Sequence, residues 1–142
     1  MLNNSGHYAE AAQRLLEAKE RRPVGSGPWG RATAAAFDML RMEACAEVAK
    51  PEWWNDEGLK ALSARVARAA PDAVVAIQMR ALVLSGVFGS LGEARPRSAA
   101  ELKEAATHFV WAAALHPAPA GKAALTASAD WCRSQVDTMQ QC

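Results

Sequence analysis

Apolar residues recur at intervals of three and four along most of this chain, the spacing that lines up one face of an α-helix. The clearest stretch is SAAELKEAATHFVWAAALHP, residues 98–117. Ser98 followed three positions later by Glu101 predicts a capping box, in which each side chain satisfies an orphaned N–H of the first turn. Ala105, Phe109 and Ala112 then share one face, and Pro117 ends the helix. Near the start, residues 9–22 place Ala11, Leu15 and Ala18 inward, with Glu10–Arg14 and Glu17–Arg21 as acid-to-base pairs outside. Pro28 opens a second helix, expected to run to about residue 49 with Phe37, Leu40, Ala44 and Val48 on its stripe, until Lys50–Pro51 ends it. A third, over 57–70, turns Leu59, Leu62 and Val66 inward behind a cap at Asn55 or Asp56. Asp72 is expected to cap a fourth, to about Gly86, with Val74, Ile77, Ala81 and Leu84 on one face and Val75, Gln78 and Leu82 on the next. So much apolar circumference predicts a helix buried on two sides. The stretch VFGSLGEARPR reads as a loop whose Val87, Phe88 and Leu91 pack down, and a sixth helix is expected over about 122–139.

The order Ala105, Phe109, Ala112, Pro117 has the same offsets as Ala11, Leu15, Ala18, Pro23. Gly6, Tyr8 and Glu10 precede the earlier set at the positions of a turn, and Trp29, Ala32, Thr33 and Ala36 follow it. In these positions the chain resembles the tetratricopeptide repeat (TPR), a helix-turn-helix unit that stacks into a solenoid. Pro23, Pro71 and Pro117 lie 48 and 46 residues apart, against a standard period of about 34. Aligning Trp29 with Ile77 and Leu59 with Ala105 puts the excess between first and second helices. In one unit that is the extended second helix plus PEWWND, in the other VFGSLGEARPR; Ser63 stands where the middle unit should carry its aromatic.

The resemblance implies an all-α chain of about six helices, a short TPR-like solenoid forming one domain over residues 1–142. It also implies a concave face built from first helices, on which Phe37, Asp38, Gln78, Leu82, Lys122, Leu125 and Arg133 would meet a partner. TPRs that grip a C-terminal carboxylate use a ring of Lys, Arg and Asn. This set is mostly apolar, so an extended or helical apolar segment of a protein partner is expected instead. Helix 9–22 has no first helix before it in the sequence, which predicts either the C-terminal part of a longer solenoid or a subunit whose edge another protein covers.

Composition narrows the function classes. The chain has 142 residues with net charge +1, and its basic and acidic residues are mixed along it, so neither nucleic acid nor a membrane surface is the expected partner. The longest uncharged stretches fall short of the about 20 apolar residues a membrane span needs, and MLNNSGHY lacks the basic start and apolar core of a signal peptide. The expected location is therefore intracellular and soluble. Cys45, Cys132 and Cys142 form no C-x-x-C pair and read as free thiols, while His7, His108 and His116 are scattered. No nucleotide-binding or nucleophile motif is present, so no catalytic residue, metal or cofactor is expected. Trp53 and Trp54 are neighbours in a loop, where they serve either to clamp helix ends or as a binding anchor. They are expected to differ in exposure, with at least one largely buried. The function read from these features is a protein-protein interaction module or structural subunit of an assembly. The alternatives are an RNA-binding helical-repeat protein and a small non-repeat helical bundle with an enzymatic activity.

Overall fold

A computed structural model describes residues 4–42, 49–87 and 96–141. Among them are six α-helices and no strand: α1 (Asn4–Glu20), α2 (Gly27–Leu40), α3 (Asp56–Ala69), α4 (Val74–Ser85), α5 (Ala99–Leu115) and α6 (Pro119–Gln140). Local chemistry accounts for most of the helix ends. Ser26 caps α2 by accepting from the Trp29 N–H, with Pro28 in the first turn, and Asn55 caps α3 by accepting from Gly58. The capping box of α5 is complete, with Glu101 N–H to Ser98 Oγ at 3.1 Å and Ser98 N–H to Glu101 Oε1 at 3.0 Å. Gly86 closes α4 with φ 79°, a left-handed conformation that glycine adopts without a Cβ clash. Asp72 caps nothing: α4 starts after Ala73, which has no side-chain oxygen to offer.

Helices pack largely in chain order, α1 on α2, α2 on α3, α3 on α4, α4 on α5 and α5 on α6, and α2 also packs on α4. Helix α4 is buried on two sides and divides the core. Its Ala76, Met79 and Val83 join Phe37, Leu40, Trp54, Leu59 and Val66 of the α2–α3 half. Ile77, Ala81 and Leu84 join Phe109, Ala112, Leu125 and Cys132 of the α5–α6 half. Ala105, Phe109 and Ala112 are all buried, as the pattern predicts, and Cys132 is a buried free thiol.

Several faces sit one residue away from where periodicity puts them. The second buried face of α4 is Ala76–Met79–Val83, so Gln78 and Leu82 are only half-buried. On α1 the packed line is Ala12, Leu16 and Lys19, leaving Ala11, Leu15 and Ala18 half-buried. In both helices nearly every turn offers an apolar or small residue on more than one side, so the neighbouring helices fix the rotation. Helix α1 also runs straight through Gly6 and Tyr8, which therefore make no turn. The Arg14–Glu10 pair forms at 2.7 Å, but Glu17 accepts from Gln13, and Arg21 lies past the helix end. Ala44, Val48, Phe88 and Leu91, with Cys45 and Cys142, lie outside the described residues. No helix among the described residues is long and apolar enough to cross a membrane.

Candidate functional site

Helices α4 and α6 both pack on α5 but not closely on each other, which leaves a groove between them. Three hollows follow one another along it. The first, about 280 Å³, lies at the start of α6 among Arg41, Gln78, Leu82, His116, Gly121 and Leu125. The second, about 290 Å³, is lined by Leu82, Ser85, Val87, Phe109, Ser128 and Trp131. The third, about 310 Å³, is lined by Val87, Pro96, Leu102, Trp131, Gln135 and Met139. Leu82, Phe109 and Ser128 are shared by the first two, and Ser85, Val87 and Trp131 by the second and third, so the hollows form one groove. Val87, Trp131 and Met139 are 55%, 44% and 44% exposed, an apolar surface left to water in the second and third hollows.

The groove is positioned by packing on one side and polar bonds on the other. Leu125, Ala129, Cys132 and Val136 hold α6 on α5. That turns Gly121, Ala124, Ser128, Trp131 and Gln135, again at three- and four-residue spacing, toward the groove. The imidazole of His116, whose Nδ1 accepts from the Ala118 N–H at 3.0 Å, sits where a Cβ of residue 121 would be, so Gly121 lets the ring pack against α6. At the far end Arg97, 4% exposed, pairs with buried Asp56 at 2.6 Å and donates to the Val83 carbonyl at 2.9 Å. Lys60 reaches both Asp56 at 3.5 Å and Glu101 at 2.6 Å. The hydrogen bond from Arg97 holds Asp56 below the ordinary carboxylate value, and the bond from Lys60 does the same for Glu101. Burial alone pushes the Cys132 thiol up. Arg80 donates to the Lys60 carbonyl at 2.8 Å and Ser63 Oγ at 3.1 Å, and reaches Glu104 at 3.2 Å. These bonds tie α3, α4 and α5 together.

Of the positions assigned to a concave face, Gln78, Leu82 and Leu125 line this groove. Asp38 reaches it only through its pair with Arg41 at 2.8 Å. Phe37 is 0% exposed and packs 5.3 Å from Trp54, so it belongs to the core and cannot meet a partner. Lys122 donates to the carbonyls of Ala113 and Ala114 at the end of α5, and exposed Arg133 pairs with Asp130 at 3.7 Å; neither is among the residues lining the groove. The two loop tryptophans differ in exposure, Trp54 being buried and Trp53 half-buried. Trp53 faces a separate hollow beside Leu16, Glu17 and Glu20, with the Lys19 ammonium 5.9 Å from its ring. Arg41, Val87, Trp131 and Met139 are lining residues that the repeat register does not pick out. The spacing of Ala124, Ser128, Trp131 and Gln135, an uncharged stripe beside the packing face of α6, is the signal in the sequence that marks this wall.

The charged residues that line the groove, among those described, are Arg41 and Arg97, at opposite ends. No group of three His, Cys, Asp or Glu among the described residues is placed to hold a metal ion. Comparison with protein-family models, with curated proteins and with solved structures finds no match to this chain.

Proposed function

We propose that this chain is a protein-binding module, its helix pairs stacked in a TPR-like manner, that holds an apolar segment of a partner protein in the α4–α6 groove. The observation that carries the reading is the continuity of the groove, with Val87, Trp131 and Met139 exposed in its second and third hollows and Gln78, Leu82 and Leu125 in its first. Exposed apolar surface gathered in a concavity is what a docking site offers, because a partner gains by removing it from water. Packing in chain order, with α4 buried on both sides, supports a stack of helix pairs. In this reading the chain acts by binding and not by catalysis: the lining is apolar, hydroxyl and amide apart from two ion-paired arginines and His116.

The test is affinity purification of the full chain from its own cells in three forms: wild type, Trp131→Glu and Trp111→Glu. Both tryptophans are exposed, at 44% and 40%, but only Trp131 lines the groove. A partner retained by wild type and Trp111→Glu and lost by Trp131→Glu supports the proposal. A partner set indifferent to Trp131→Glu would refute it.

A further inference from the structure

We infer that the segment held in the α4–α6 groove is an amphipathic helix with an acidic residue at the end nearest Arg41; the inference rests on the docking reading above. Three observations favour a helix of that polarity over an extended chain.

The first is the supply of hydrogen-bonding groups. From Gly121 to Met139 the groove follows α6 for about 27 Å at 1.5 Å per residue. An extended segment of that length carries about eight residues, each with an N–H and a C=O that need partners once water leaves. Most of the wall is the sides of α4, α5 and α6, whose backbone groups are bonded within the helices; Gly86, Val87, Pro96 and Arg97, outside them, border the far half. Ser85 Oγ already donates to Leu82 and accepts from the Val87 N–H, and Ser128 Oγ donates to the Ala124 carbonyl. That leaves the Gln78 amide with the Arg41 and His116 side chains at one end, and the Gln135 amide with a few non-helical backbone groups at the other, fewer than an extended chain asks for. A helix brings its own backbone partners and asks for none.

The second is shape. Ala124 and Ser128 keep the middle of the α6 wall low, which lets the axis of an added helix come close there, while the His116 ring stands over Gly121 at one end and Trp131 and Met139 make the other end bulky. The third is charge. Among the described lining residues no carboxylate is present while an arginine stands at each end, so the lining favours an acid over a Lys or Arg on the inner face of the segment. Arg97 is locked to Asp56 by a buried pair, whereas Arg41 gives Nε and Nη2 to Asp38 at 2.9 and 2.8 Å in a pair whose carboxylate is half-exposed, so an incoming carboxylate can share the guanidinium.

The test uses a displayed library of random segments of about 20 residues, selected on the full chain and counter-selected on Trp131→Glu, with Met139→Glu as a second groove variant. Circular dichroism checks that both variants keep wild-type helicity. The expected winners carry apolar residues at three- and four-residue spacing and Asp or Glu near one end. A proline in the middle should abolish binding, and Arg41→Ala should weaken binding by about tenfold only while that acid is present. Winners that alternate apolar and polar residues, tolerate the central proline, or ignore Arg41 would overturn this inference and leave the docking reading standing. If no segment distinguishes the wild type from the two groove variants, both fall together.

Discussion

Ser63 is fully buried because the space an aromatic would take is occupied by Arg80, which donates to its hydroxyl and to the Lys60 carbonyl. Ser63→Phe, which would restore the repeat pattern on paper, should therefore destabilise the fold by about 1–3 kcal/mol, the usual cost of overpacking, with the loss read from the urea midpoint. Phe109 is 2% exposed and floors the groove, so Phe109→Ala should cost about 3–5 kcal/mol; a loss under about 1 kcal/mol would remove it from the core. Asp56 and Glu101 set the acid response. Both are held below their ordinary values of 3.8 and 4.5, so each contributes stability that is present above those values and is lost as pH falls through the lowered ones. Denaturation midpoints should stay level from about pH 7 to 5 and fall below about pH 4. Lys60→Met, which removes a partner from both carboxylates, should shrink that fall. A midpoint that rises on acidification would contradict the assignment.

Among the helices, α5 was the most legible in the sequence, because its start, face and stop are written in residues with one reading each. Ser98 and Glu101 close the capping box, Phe109 is the one aromatic residue on its buried line, and Pro117 follows the C-cap. Ser98→Ala should cost about 1 kcal/mol, measured by thermal or urea unfolding. The Ile77–Ala81–Leu84 face of α4 was legible, but its second face and the rotation of α1 were not. Apolar residues stand almost all round α4, and Ala11–Ala12 and Leu15–Leu16 are adjacent pairs on α1, so a register one residue either way fits the pattern equally well. The buried partners of Asp56 and Ser63 were out of reach for a different reason. Arg97 lies 41 residues from Asp56 and Arg80 17 from Ser63, and no local signal joins such pairs.

At the scale of the whole molecule, the α4–α6 groove exists because α6 is held by a narrow stripe on α5 and makes no close contact with α4. Of the positions the sequence register assigned to a partner-binding face, Gln78, Leu82 and Leu125 line this groove, while Phe37 lies in the core, because a core aromatic and an exposed one follow the same helical spacing. Trp53 and Trp54 share no lining residue with the groove and brace the opposite end, around α1 and α2. A partner bound in that groove would cover one side of α4 and of α6. Amide hydrogen exchange of the full chain, alone and with a co-purified partner bound, tests it most directly. Added protection should concentrate in residues 77–86 of α4 and its end and in 121–139 of α6; protection gained instead along α1 or the exposed side of α5 around Val110 and Trp111, with none in the groove, would contradict it.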